Sequence, residues 1–290
     1  MSSVPRLFVD ADLDYGAKVD LGDAQAHYVG TVLRLGRGDA ISLFNGQDGE
    51  WQATILEAGR KTVRLAVAEW MRPQSPAPDL WLVCAPVKRQ AMELTVEKAT
   101  ELGVSEIHFA GTAYTQRGKI NLDRLGAIAI EAAEQCGRLD VPALAAPVTL
   151  PVLLNGWPAD RLILYCDESG RSPPVVDVLA GAGQPVQAGV ERIARDVGRV
   201  IEDVVESFLG GETKPAKPDQ PVRAAGPVAV INPWAVLCGP EGGFTPDERE
   251  TLSRHPMVRA ASLGPRTLRA ETAALAALAV FQALQGDWRG

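Results

Sequence analysis

From Leu80 onward the chain repeats one pattern: a short unbroken apolar run, then a stretch with helical spacing. Residues 80–86 (LWLVCAP), 107–111, 162–167 (LILYCD), 236–238 and the stretch around 260–263 are the strand candidates. Runs of this kind lack polar alternation, as expected of strands buried on both faces. Between them, 90–102 (closed by Gly103), 122–136 and 270–284 (AETAALAALAVFQAL) carry helical spacing. The last is so small and apolar that it is expected to be buried all round, ending at Gly286. Strands alternating with helices of this length predict an α/β fold, a parallel sheet with helices on both faces.

The first 72 residues have a different texture. Runs at 6–9, 40–44, 51–56 and 62–67 are separated by turn dipeptides such as Asn45-Gly46 and Asp48-Gly49, with one helical stretch at 24–35. Many short strands with turn signals predict a small barrel or a sandwich. Residues 72–79 (RPQSPAPD) place three prolines in eight positions, which suits an extended linker. The expected organisation is therefore 1–72, a linker at 73–79, and a larger domain over 80–290. Residues 184–226 interrupt that larger domain as an insertion. Within it, Val190, Ile193, Val197, Val200, Ile201, Val204 and Phe208 make an amphipathic helix, and a Pro- and Gly-rich stretch follows. Packing on its own domain is the plainer reading of that helix; a partner contact is the other.

Several classes drop out on composition. No window approaches 18 consecutive apolar residues, so no membrane span is expected. The first residues lack the basic and apolar regions of a secretory signal, which predicts a cytoplasmic protein. Cys84, Cys136, Cys166 and Cys238 form no CxxC pair, and His27, His108 and His255 lie far from them. Buried inert thiols are expected, with no metal site and no disulfide framework. The net charge of −7, with no basic block anywhere, disfavours a polyanionic partner without excluding a local docking patch.

Four stretches could carry chemistry. In LCGPEGGFTPDE (237–248) an apolar run ends in three glycines within five residues, and Thr245, Pro246 and Glu248 then match a capping box. A glycine turn between a strand end and a helix start is where α/β sheets bind ligands, although a structural tight turn is equally compatible. In SLGPRTLRAETA (262–273), Arg269, Glu271 and Thr272 stand at a helix entrance, where Arg269 and Glu271 could simply cap and pair. In EAAEQCGRLDVP (131–142), Glu134, Gln135 and Arg138 could face a cleft, or Arg138 could be a solvated charge at the end of the helix. Lys88, Arg89, Glu97, Lys98 and Glu101 cluster on the first helix, where Lys98 and Glu101 could pair only with each other.

GPEGGF and LRAETA together, with RLFVDADL, HYVGTVLRLGRGDAISLFNG, VEKATELGVSEI and EAAEQCGRLDVP in the same order, are the pieces of a specific resemblance. The chain resembles the bacterial 16S ribosomal RNA uridine N3-methyltransferases (RsmE-like), a branch of the SPOUT methyltransferases, over nearly its whole length. Three features depart from that pattern. Phe109-Ala110-Gly111 stands where a proline is common, TQRG (115–118) replaces a TERS-like loop, and the insertion is not a usual feature.

The resemblance implies a PUA-like barrel that presents RNA, followed by a trefoil-knotted parallel sheet that binds S-adenosylmethionine (S-adenosyl-L-methionine) and forms a homodimer. It implies that Leu237, Gly239, Pro240, Glu241, Gly242, Gly243, Leu263, Gly264, Thr267, Leu268, Thr272 and Ala273 hold the cofactor, largely through backbone groups. It implies that Arg6, Arg34, Lys88 and Arg138 contact RNA, and that Arg269, Arg138 and Glu271 are the catalytic candidates. The implied partner is 16S rRNA in the small ribosomal subunit, with neither a membrane nor a metal. Two other functions stay open on the residues: an RNA-binding ribosome-assembly factor that keeps the cofactor site without catalysis, and a nucleotide-binding enzyme using the glycine turn as a phosphate nest. No basic residue follows Gly243, which disfavours the last.

Overall fold

The computed structural model describes residues 4–59, 62–75, 78–115, 120–181 and 233–289. The expected insertion at 184–226, with its amphipathic helix, and most of the TQRG loop lie outside the described residues.

The N-terminal unit is a five-stranded sheet of β1 (Arg6–Phe8), β2 (Lys18–Leu21), β3 (Ala40–Phe44), β4 (Glu50–Ala58) and β5 (Val63–Arg72), in the order β1-β3-β4-β5-β2. Strand β1 runs parallel to β3, and the other pairs are antiparallel. Val19 and Leu21 alternate with exposed Lys18 and Asp20, so that β2 turns one apolar face onto Leu7, Ile41, Leu43, Ile55 and Leu65. Register shifts between β4 and β5 mark bulges, which increase the local bend and twist. The helical stretch expected at 24–35 is α1 (Asp23–His27) continuing into a wider π turn at Tyr28–Val32, and it breaks at Arg34, whose φ is 56°.

The second sheet begins at Leu80. Its strands are β6 (Leu80–Cys84), β7 (Glu106–Gly111), β8 (Ala143–Leu144), β9 (Val148–Thr149), β10 (Leu162–Cys166), β11 (Trp234–Cys238) and β12 (Val258–Ala261). Every pair is parallel, in the order β12-β10-β11-β6-β7-β8, with β9 beside the end of β7. Residues of β10 and β11 are buried throughout, which explains their unbroken apolar sequence. One face packs under α2 (Arg89–Glu101), α3 (Leu122–Cys136), α5 (Val175–Gly181) and α7 (Ala270–Leu284) through Leu82, Val96, Phe109, Ala129, Leu164, Leu179 and Phe281. The other lies under α4 (Leu150–Asn155) and α6 (Pro246–Arg254) through Leu154, Ile163, Leu237 and Leu252. Each such valine, leucine, isoleucine or phenylalanine side chain contributes about 1.5–3 kcal/mol on burial.

Two expectations are corrected here. Helix α7 is not buried all round: Ala274, Ala277, Leu278 and Phe281 face the core, while Leu275, Ala276, Ala279 and Val280 are half-buried and Ala283 is exposed. Cys136 is exposed at the end of α3, whereas Cys84, Cys166 and Cys238 are buried, with burial pushing the Cys84 thiol up to about 12.

A polar joint ties the two units. The carbonyls left over at the C-terminus of α3 receive donors from the N-terminal sheet. Arg6 Nη1 donates to the carbonyls of Ala133 and Glu134, and Arg6 Nη2 to that of Arg138 at 2.8 Å. Arg6 Nε pairs with Glu50 at 2.6 Å, and Arg72 reaches from the same carboxylate to the carbonyl of Gly137. The amide of Phe8 donates to Glu134 Oε1, and Phe44 packs against Ala133 and Leu139.

Candidate active site

Parallel strands send all their connections out at one end, and a crevice forms where adjacent loops diverge. Here β12, β10 and β11 are neighbours, so the segments following Cys166, Cys238 and Ala261 leave the sheet side by side. The bend near residue 240 and the bend near residue 267 thus flank the end of β10 from either side.

Between the second bend and the end of β10 lies a small cleft that is open to solvent. Its walls are Cys166, Asp167, Glu168, Leu263, Gly264, Arg266, Leu268 and Ala273. The glycine bend abuts this wall through Gly243, at φ 69°, where a Cβ would fall 2.4 Å from Glu168 Oε1. Gly239 is required for a different close approach, because a Cβ there would meet the buried Phe244 ring at 2.5 Å. That ring stacks edge-on against Tyr165 at 5.2 Å, fixing the bend onto β10 from below.

The cleft wall carries both signs of charge, with Asp167 and Glu168 after β10 and Arg266 facing them from the second bend. Asp167 is partly buried, which alone would raise its pKa. Hydrogen bonds from the Ser169 and Ser172 hydroxyls and the Ser169 amide outweigh that and hold it below the usual carboxylate range. Glu168 pairs with Arg249 of α6 at 2.6 Å. The capping box is present as expected: the Glu248 amide donates to Thr245 Oγ1, and the Thr245 amide donates to Glu248 Oε2 at 2.9 Å.

Of the residues expected to hold the cofactor, Leu263, Gly264, Leu268 and Ala273 line the cleft and Gly243 touches its wall. Glu241, Gly242, Thr267 and Thr272 are exposed beside those positions, Pro240 is buried, and the Leu237 side chain points into the core. Arg269 is the N-cap of α7 but makes no side-chain capping bond, is exposed, and forms no ion pair with Glu271 among the described residues. The capping-and-pairing reading of these two residues is therefore not what the structure shows.

Arg138 is a correction. Its side chain is about 10% exposed, pairs with Asp140 at 2.9 Å and donates to the carbonyl of Thr100 at 2.8 Å. Thr100 lies at the end of α2 that returns to the start of β7, the edge of the sheet away from the cleft. Arg6 is a second correction: with its side chain 15% exposed and its donors engaged by Glu50 and three carbonyls, it serves the joint and is not a free cation for RNA. Arg34 and Lys88 are exposed, as a phosphate contact requires. Glu134 likewise faces the N-terminal sheet instead of a cleft, and burial raises its pKa. Lys98 pairs with both Glu97 and Glu101.

Sequence reasoning missed Cys166, Asp167 and Glu168. The signal was available: a buried strand in a parallel sheet ends in Cys-Asp-Glu, and strand ends line the crevice.

A family model described as an RNA methyltransferase domain matches residues 73–188 and 212–282, and one described as an RNA methyltransferase PUA domain matches 21–67. The unmatched gap falls inside the expected insertion. The chain is 29% identical to the ribosomal RNA small subunit methyltransferase E of Rickettsia conorii, covering 96% of this chain and 95% of that one. It is 30% identical to the protein of the same name from Synechocystis, covering 96% and 77%. The Legionella pneumophila protein Lpg2936, solved with the bound cofactor SAM, superposes with a TM-score of 0.72 at 29% identity, covering 97% and 98%.

Proposed function

Because the chain belongs to the RNA methyltransferase family whose model spans most of it, we propose that it methylates N3 of a uridine in 16S ribosomal RNA of the small subunit, using S-adenosylmethionine. The observation that carries this reading is the cleft between the ends of β10 and β12, with the glycine bend set against its Glu168 wall.

The residues present fit that cofactor. S-adenosylmethionine carries a sulfonium and an ammonium, both cationic, and a flat apolar base. Asp167 supplies negative charge, Glu168 being already paired with Arg249, while Leu263, Leu268 and Ala273 supply an apolar wall. When bound, the cofactor offers a methyl group on positively charged sulfur, open to in-line attack. The protein's task is then mostly alignment.

Uracil N3 attacks well only once its imide proton has left, which places negative charge on the two flanking carbonyl oxygens. Arg269 is exposed and without an ion pair among the described residues, and its planar guanidinium is suited to that charge. Glu271, two residues further along, is the carboxylate offered to the proton. A base within a folded rRNA has to leave its stack to be reached. The N-terminal sheet, in the PUA-like role, presents the RNA, and the joint at α3 fixes its position relative to the cleft. The half-buried apolar face of α7 supports a homodimer. Among the described residues no helix is long and apolar enough to cross a membrane. Action on ribosomes puts the proposed reaction in the cytoplasm.

Mass analysis of rRNA from a strain lacking this chain tests the reaction: one N3-methyluridine in 16S rRNA should be lost and return with the wild-type chain. An unchanged modification pattern together with RNA binding would favour the non-catalytic assembly factor. Calorimetry with S-adenosylmethionine tests the cleft, and absence of binding would remove both readings.

A further inference from the structure

We propose that Tyr114 is a stacking platform for an unpaired base of the RNA substrate, set beside the glycine bend at the edge of the cofactor cleft. The proposal rests on the methyltransferase reading above and adds a residue to it.

Among the described residues three aromatics are more than half exposed: Tyr15, Trp288 and Tyr114, the last at 54%. Tyr114 alone among them touches the glycine bend. A Cβ on Gly242 would lie 3.0 Å from Tyr114 Cβ and 3.3 Å from its Cγ, so the Tyr114 side chain rests directly against that residue. The next residue, Gly243, abuts Glu168 of the cleft wall. One peptide unit thus separates an exposed ring from the cofactor cleft.

The backbone that carries the ring is held on both sides. On one side of it, the Ala113 amide donates to Glu248 Oε1 at 2.8 Å, the same carboxylate that closes the capping box at the start of α6. On the other, the Thr112 amide donates to Thr115 Oγ1 at 2.8 Å, and the two threonine hydroxyls bond to each other at 2.9 Å. Glu248 therefore fixes the bend that carries Gly242 and the turn that carries Tyr114 to one another. A large aromatic that is fixed by its backbone yet left half exposed has its packing need unmet. Single-stranded and flipped bases meet such rings face to face. Stacking accepts any base, so Tyr114 supplies residence near the cleft and leaves identity to edge contacts.

The test uses the full-length chain with small-subunit rRNA transcribed with 5-iodouridine, which cross-links under near-ultraviolet light to stacked aromatic rings. An adduct on Tyr114 is expected. Tyr114→Phe keeps the ring and should behave as wild type. Tyr114→Leu keeps a cover over Gly242 without a π face. It should raise KM for RNA by roughly 5- to 150-fold, the worth of one base–aromatic stack, with S-adenosylmethionine affinity and melting temperature unchanged. Cross-linking only elsewhere, or wild-type kinetics in Tyr114→Leu, overturns the proposal, as does a matching loss of cofactor affinity in that variant. An adduct on Tyr114 in a chain that transfers no methyl group would instead uphold the platform and sink the methyltransferase reading.

Discussion

Arg6→Ala tests whether the joint at α3 governs the stability of the assembly. The substitution removes an ion pair to Glu50 at 2.6 Å, between side chains 15% and 11% exposed, and three hydrogen bonds to carbonyls at the end of α3. Removing one partner of a buried pair costs about 3–5 kcal/mol, because the other charge is left behind. Glu50 keeps Arg72 and the Ser42 hydroxyl, which holds the cost at the lower end, about 3 kcal/mol. At about 2–4 °C per kcal/mol for a chain somewhat shorter than this, the melting temperature falls by roughly 6–12 °C. Urea denaturation at constant m reads the same loss, while calorimetry should find S-adenosylmethionine affinity unaltered, since the joint is at the other edge of the sheet. Arg6→Lys can satisfy Glu50 or a carbonyl but not the whole set, and should recover less than half. A loss under about 1 kcal/mol would refute the reasoning, since that is the worth of an exposed pair.

Arg269→Ala should lower turnover by about a hundredfold or more with cofactor affinity within a few fold, measured by methyl incorporation and calorimetry; equal losses would make Arg269 a structural cap. Gly243→Ala places an L-residue at positive φ and drives Glu168 away from Arg249, so the dissociation constant for S-adenosylmethionine should rise about tenfold, and an unchanged value would separate the glycine bend from the site. Hydrogen bonds from Arg124 and Arg89 hold the Glu93 pKa down to about 2. Its contribution is thus present above the ordinary carboxylate pKa and lost as pH falls toward 2. The melting-temperature gap between wild type and Glu93→Gln should close over that window at low salt; a gap independent of pH would refute the pairing.

The elements legible in the sequence were those whose ends are written locally. Helix α3 begins at an Asn121 cap and stops at Gly137 in the left-handed region, and α6 begins with a capping box. Strands β10 and β11 were legible as apolar runs because burial on both faces removes any polar alternation. Elements defined by partners were not. Strand β2 is only four residues (KVDL) and is a strand because β5 pairs with it, and α4 is a six-residue helix held by the core beneath it. The glycine bend and the helix start after it were legible through glycine and capping chemistry, whereas the Cys166–Glu168 wall looked like the tail of a strand. Arg6 and Arg138 were misread for one reason: a guanidinium that caps a distant helix end looks the same in sequence as one facing solvent.

That distinction bears on how an acidic chain holds RNA. Net charge of −7 opposes long-range attraction, so affinity has to come from cations that face the RNA unpaired. Many arginines are already spent: Arg6, Arg64, Arg72, Arg89, Arg124, Arg138, Arg161, Arg249 and Arg254 are all in ion pairs. Lys88, Arg266 and Arg269 are exposed, with no ion pair among the described residues, and follow the C-terminal ends of β6 and β12, at the end of the sheet where the cleft opens. Each phosphate neutralised by such a cation steepens the fall of log affinity with log salt by about 0.7–0.9. Lys88→Ala and Arg266→Ala should each flatten that slope by about this amount. Arg64→Ala removes the same charge from a surface pair with Asp20 and should leave the slope where it was. If all three variants flatten it equally, binding follows total charge and the cleft has no privileged set of cations.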